Sequence, residues 1–209
     1  MAGWTTHDGV AVALPLANID TDQVIPARFM SAPRSDGYGG FLLHDLRRDE
    51  GGALRPDFPL NRHEGASVLI AGPNFGSGSS REAAVYALVD AGFRAVLAPG
   101  FGDIFAGNAV NNGLLPAQVG ESLYAALIER LGADTAPVQI DLSASRITIG
   151  GVVVPLSLEE SWRMKLMNGW DDIDLTRQHH ERIATFRDDR RQAAPWAWPA
   201  SRDTAARDQ

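Results

Sequence analysis

No cysteine occurs among the 209 residues. Disulfides, a zinc–thiolate site and an iron–sulfur cluster ligated by this chain alone are therefore excluded. Long apolar runs are also missing, and none approaches the ~20 residues that span a bilayer. Basic residues are the minority, 19 against 26 acidic ones, for a formal net charge of −7. A surface of that sign argues against a nucleic-acid or anionic-membrane footprint. The opening MAGWTTHDGVAVALPLANID lacks the basic start and long apolar core of a secretory signal. A cytoplasmic location is the expectation. What is present is an ordinary globular mixture, 44% hydrophobic and 22% charged, long enough for one good-sized core. A single domain is expected over 1–190. The Pro-, Ala- and Arg-rich stretch over 191–209 reads as a tail, mobile or docked on a partner.

Short apolar runs at Val10–Leu14, Ser67–Ala71, Ala95–Ala98 and Leu114–Val119 read as strands. Pro116 restricts the last of these to a sheet edge. Helices are expected after the loop at Gly72–Gly78, over Asp103–Val110, around Leu123–Leu131, over Ser157–Asn168 and over Leu175–Phe186. Ser79 with Glu82, and Ser157 with Glu160, have the spacing of capping boxes. Val138–Leu142 and Ile147–Val154 alternate as strands, with Gly150-Gly151 at a turn or bulge. The alternation of strands and helices in the first half predicts an α/β fold with a parallel sheet. Asn18–Asp22 reads as an acidic turn and Val24-Ile25-Pro26 as extended. The stretch 31–61 is long for an unstructured connection within a domain.

The stretch GPNFGSGSSRE, Gly72–Glu82, carries the densest chemistry. It is neither of two familiar phosphate loops. A Walker A motif needs a lysine that is not here, and a dinucleotide fingerprint has Arg81 where its third glycine belongs. Two readings stand side by side. Ser79 is an N-cap and the glycines serve a tight turn. Alternatively, the stretch is a carboxylate or oxyanion pocket: a helix N-terminus offers unpaired N–H groups and a positive dipole end. Gly76 and Gly78 then admit a ligand close to the backbone, and Arg81 adds a charged planar fork. A serine alkoxide at Ser79 or Ser80 is stabilised in that field, which suits proton removal beside a carboxylate. No adjacent histidine supports a hydrolase triad.

Three segments in order, NIDTDQVIP, GPNFGSGSSRE and AVLAPGFGDIFAGNAVNNGLLP, resemble the small-subunit family of 3-isopropylmalate dehydratases. That family corresponds to the swivelling C-terminal domain of aconitase. The resemblance runs from Val10 to the Trp196-Ala197-Trp198 tail. It implies an aconitase-type swivelling β/β/α domain with a parallel core sheet and flanking helices. It also implies a hydro-lyase that works only with a large subunit, which carries the [4Fe–4S] cluster while this chain holds no cofactor. Ser79 falls on the family's proton-abstracting serine. Ser80 and Arg81 fall on its carboxylate-holding neighbours, with Gly78 beside them. Asp22 falls on its acidic turn, as an orienting group, and Asp20 reads equally as a turn cap. The substrate implied is 2-isopropylmalate, isomerised through isopropylmaleate to 3-isopropylmalate in leucine biosynthesis.

Phe29–Gly39 matches the segment that sets side-chain specificity in the family, with Arg34 a carboxylate contact or a solvated loop arginine. With its pocket half built, 31–61 is expected to be disordered without the partner. The chain departs from the family pattern at Ala83, where histidine is usual, and at Arg34-Ser35-Asp36. These departures leave two alternatives open: a related hydro-lyase for another 2-hydroxy diacid, and a non-catalytic anion-binding regulatory module. Asp103 reads as a helix cap, Asn111 and Asn112 as turn residues, and His179-His180-Glu181 as a solvated face rather than a metal site.

Overall fold

Strand residues that are apolar at every position imply a sheet covered on both faces, and Val68–Ala71 and Ala95–Ala98 are buried throughout. The computed structural model describes residues 2–198. Seven strands form one sheet among them: β1 (Thr6–Leu14), β2 (Val68–Ala71), β3 (Ala95–Ala98), β4 (Leu115–Gln118), β5 (Thr135–Asp141), β6 (Arg146–Ile149) and β7 (Val152–Pro155). Their order is β4-β3-β2-β1-β5-β6-β7. The pairs β1–β2, β2–β3 and β3–β4 are parallel. The pairs β1–β5, β5–β6 and β6–β7 are antiparallel. This is a mixed α/β sheet, with a parallel half and an added antiparallel half. β4 is the edge strand, which leaves the missing N–H of Pro116 without consequence for a second neighbour. The β6–β7 run is two strands, not one. Gly150 and Gly151, at φ +53 and +84, make the two-residue hairpin turn between them.

The helices are α1 (Thr21–Val24), α2 (His44–Arg47), α3 (Pro59–Arg62), α4 (Glu82–Asp90), α5 (Asp103–Asn111), α6 (Glu121–Leu131), α7 (Glu160–Asn168), α8 (Asp172–Arg177) and α9 (His180–Ala193). The two-residue period of the strands sends alternate side chains to opposite faces. Val12, Leu14, Leu69 and Ala71 pack with Ala84, Val85 and Leu88 of α4. Ala11, Ala13, Val68 and Ile70 pack instead with Leu127 and Leu131 of α6 and Leu166 of α7.

Several sequence expectations need correction. Neither proposed capping box forms. Helix α4 begins at Glu82 with Arg81 as N-cap, and α7 at Glu160 with Glu159 as N-cap, both without a side-chain cap. Ser157 lies too early to cap α7, because the chain is still bonded to the hairpin at Leu156, whose N–H donates to the Ser145 carbonyl. Val24 closes α1 instead of resuming an extended path. Asp103 is the first residue of α5 rather than its cap, which is Gly102. The stretch 31–61 is not structureless. Short helical turns (Arg34–Asp36, Gly39–Phe41) and α2 and α3 occupy it, pinned by buried Tyr38, Leu42, Leu43 and Leu60. The single helix read over Leu175–Phe186 is two helices. Bonds to the third residue back, from Gln178 and His179, close α8 before α9 begins.

The chain divides into two units between Asp171 and Asp172, ahead of the 190/191 boundary drawn from composition. In the second unit Arg191 lies over the Trp198 ring, 5.1 Å from its centroid, and Trp196 is exposed. The rest of the expected tail, 199–209, lies outside the described residues.

At the start of β1, His7 Nε2 meets Ser67 Oγ at 2.8 Å. Burial holds the His7 pKa below its ordinary 6.5, the Arg94 charge adds to this, and Asp8 opposes it. The folded state therefore favours the neutral ring. As pH falls, the unfolded chain binds this proton first, so the contribution is present above pH 6.5 and lost below it. Urea unfolding midpoints should drop more between pH 7.5 and 5.5 in the native chain than in His7→Gln.

Candidate active site

Beyond the carboxyl ends of β1, β2 and β3 the main chain goes on pairing. Asp20 bridges Ser77 and Phe75 bridges Phe101, both in parallel sense. The Gly76 N–H donates to the Ile19 carbonyl (2.7 Å) and the Thr21 N–H to the Ser77 carbonyl (2.9 Å). On the other side the Phe75 N–H reaches the Gly100 carbonyl (3.1 Å) and the Gly102 N–H the Phe75 carbonyl (3.0 Å). Phe75 is fully buried and meets Phe105 edge-on, their centroids 5.4 Å apart. Three loops are thus joined at the end of a parallel sheet where ligands of open α/β folds bind.

The glycines of this rim have different jobs. A Cβ at Gly76, φ +71, would sit 2.3 Å from the Phe105 ring. Close packing against Phe105, not ligand access, therefore fixes that glycine. Gly78, φ +96, is exposed, and the nearest atom to its would-be Cβ is Asp20 Cβ at 3.4 Å.

Next come Ser79 and Ser80, both exposed, and Arg81, partly covered. Two successive residues of α1 hold this stretch. Buried Thr21 places Oγ1 3.1 Å from Ser79 Oγ and 3.2 Å from the Ser79 carbonyl. Asp22 forms an ion pair with Arg81, whose side chain is 25% exposed against 54% for Asp22. The guanidinium reaches no other partner among the described residues. Its carboxylate partner is the more open of the two, so an incoming carboxylate can share the fork. Ser79 is engaged with Thr21 rather than with the first turn of α4. The N–H groups of Glu82 and Ala83 consequently keep no intrahelical partner and no side-chain cap. Together the rim offers a hydroxyl, a guanidinium and a positive helix end.

A profile for the aconitase C-terminal domain matches residues 1–122. The 3-isopropylmalate dehydratase small subunit of Shewanella baltica (strain OS185) is 45% identical over 192 residues, 89% of this chain and 96% of its own. The corresponding subunit of Shewanella denitrificans is 46% identical with the same coverage. The chain belongs to the 3-isopropylmalate dehydratase small-subunit family. A solved structure of 3-isopropylmalate dehydratase from Methanocaldococcus jannaschii superposes with a TM-score of 0.62 at 26% identity. It covers 86% of this chain and 98% of its own.

Of the residues singled out from the sequence, Gly78, Ser79, Ser80, Arg81 and Asp22 share this rim. Arg34 does not. Its Nη2 donates to Asp90 Oδ1 at 2.8 Å, with a second contact from Nη1. Its guanidinium lies 4.5 Å from the Tyr86 ring centroid. Asp90 is the last residue of α4, about 12 Å along the helix from its first turn. Asp20 turns out to cap α1: its carboxylate accepts the Gln23 N–H (2.7 Å) and the Gln23 amide oxygen accepts the Asp20 N–H (3.0 Å). The D-x-x-Q spacing was the available signal. Asn112 caps α5 and donates to Glu82 Oε1 at 2.7 Å, while Asn111 accepts from the buried Lys165. Ala83, where the family pattern has histidine, is a buried position of α4.

Asp90 also accepts the Tyr38 N–H at 2.6 Å, so one carboxylate ties residues 34–38 to α4. Removing it in Asp90→Ala should speed amide exchange over 34–41 by roughly ten- to a hundredfold, matching about 1.5–3 kcal/mol for hydrogen bonds to a charged group. Hydrogen-exchange mass spectrometry checks this, with β2 and β3 amides unchanged.

Proposed function

We propose that this chain is the base-bearing subunit of a 3-isopropylmalate dehydratase, acting on 2-isopropylmalate with a large subunit. The carrying observation is the rim itself, where consecutive residues Thr21 and Asp22 hold Ser79 and Arg81. The names of the relatives support the substrate and the small-subunit role. The chain has no cysteine with which to hold an iron–sulfur cluster, and the [4Fe–4S] cluster is assigned to the partner. The cytoplasmic location belongs to the same proposal. Among the described residues no helix is long and apolar enough to cross a membrane.

Each residue has a task. Arg81 receives a substrate carboxylate on the donors that Asp22 leaves free. The first-turn amides of α4 add a positive field at the same place. Ser79, as alkoxide, takes the proton from carbon, its own proton having gone to solvent from its exposed position. The electron pair of the broken C–H bond becomes the new C=C bond, and hydroxide leaves the adjacent carbon. Water returned with opposite regiochemistry gives the isomer. A serine alkoxide is unstable in water, so the site must lower its energy. The guanidinium and helix end do so electrostatically, and pairing with Arg81 limits repulsion from the Asp22 carboxylate.

The test is reconstitution with the cognate large subunit under anaerobic conditions, following isopropylmaleate by its ultraviolet absorbance. Turnover should require both chains and fall roughly a hundred- to ten-thousandfold in Ser79→Ala. Arg81→Lys should chiefly raise KM, by about tenfold or more, since a point charge replaces a bidentate fork. A stable complex inert toward isopropylmalate and other small hydroxy-diacids would contradict the proposal.

A further inference from the structure

Thr21 is a polar side chain that is almost wholly buried. A buried hydroxyl calls for a reason. It is 1% exposed, yet it touches the exposed Ser79. We propose that Thr21 is a positioning residue for Ser79, its hydroxyl hydrogen turning from the Ser79 carbonyl to the Ser79 alkoxide when that serine loses its proton. The inference rests on the reading of Ser79 as the base.

A threonine hydroxyl has one hydrogen to donate and can accept two. In the resting chain its geometry closes a small circuit. Thr21 Oγ1 donates to the Ser79 carbonyl at 3.2 Å. With the Thr21 hydrogen so engaged, Ser79 Oγ, at 3.1 Å, is left as the donor to Thr21 Oγ1. This restricts the serine rotamer. Once Ser79 is an alkoxide it has nothing to donate and needs a donor. The Thr21 hydrogen can serve it by rotating about the C–O bond, because both acceptors already lie at nearly equal distance. No heavy atom has to move, so the donor costs no reorganisation during reaction.

Three features hold Thr21 in place. Its N–H donates to the Ser77 carbonyl and its carbonyl accepts the Ile25 N–H. It begins α1, whose preceding residue Asp20 forms a complete capping box. Its β-branched side chain has few rotamers. Ala83 stands where the family pattern has a histidine and has no polar side-chain atom to offer. The Thr21 hydroxyl is the side-chain partner that Ser79 does have.

The test uses the reconstituted two-subunit complex, with kcat, KM and the pH dependence of kcat measured for Thr21→Val, Thr21→Ser, Ser79→Ala and the Thr21→Val/Ser79→Ala double variant. In Thr21→Val, kcat should fall about 10- to 100-fold, the size of a lost hydrogen bond to a charged group. KM should stay within about twofold, and the rising limb of the pH profile should move to higher pH because the alkoxide has lost a donor. Thr21→Ser should recover kcat to within about threefold, and the double variant should be no slower than Ser79→Ala. Should Thr21→Val fail to assemble, Thr21→Ala carries the same expectation without added bulk. Native kcat in Thr21→Val, an equal loss in Thr21→Ser, or a further loss in the double variant would each overturn the role of Thr21 while leaving Ser79 intact. Full activity in Ser79→Ala would instead remove the base itself, and the proposal with it.

Discussion

Main-chain pairing beyond the ends of the strands is what the rest of this molecule depends on. Parallel strands separate into loops at their carboxyl ends, and loops there are usually free to diverge. Here the Asp20–Ser77 and Phe75–Phe101 bridges keep three of them side by side. The buried Phe75 and Phe105 rings fill the space beneath. A serine two residues past that bridge is therefore held by backbone geometry, although its own surface is open. Without the pairing, Thr21 and Ser79, 58 residues apart in sequence, would have no reason to meet.

The charges are placed with the same economy. Two arginines lie near α4, and each is paired with a carboxylate. The Arg34–Asp90 pair is braced by the Tyr38 amide and the Tyr86 ring, and works as a structural clamp. The Arg81–Asp22 pair has no such brace, and its carboxylate side is open. Two arginines that look alike in sequence thus separate by surroundings into one clamped on α4 and one whose carboxylate partner is open to solvent.

Much of this was legible from the sequence, and the failures have physical causes. The central parallel strands β2 and β3 declared themselves as short apolar runs, because burial on both faces leaves no polar alternation to confuse the pattern. Helices α4, α5 and α6 followed from glycine punctuation and apolar spacing. The serine–arginine stretch stood out by composition, and its likeness to a known family carried the residue roles. The cap of α4 was misread because S-x-x-E spacing is a local signal, whereas the Ser79 hydroxyl is claimed by Thr21 from another loop. Neither reading of Arg34, as a carboxylate contact or a solvated loop arginine, found its clamp, because its partner Asp90 is 56 residues away. Thr21 itself passed as part of an acidic turn, since nothing local says that a threonine between two aspartates is buried. The segment 31–61 was expected to be disordered without the partner because its pocket is half built, while its apolar residues Leu42, Leu43 and Leu60 are buried in the core of this chain.

The most direct measurement is a crystal structure of the two-subunit complex with isopropylmaleate or a slow substrate analogue bound. The account requires the Arg81 guanidinium on a substrate carboxylate and Ser79 Oγ about 3–3.5 Å from a reacting carbon. Thr21 Oγ1 should still lie within hydrogen-bond distance of that serine. A ligand enclosed by a surface that excludes Ser79 and Arg81 would contradict it.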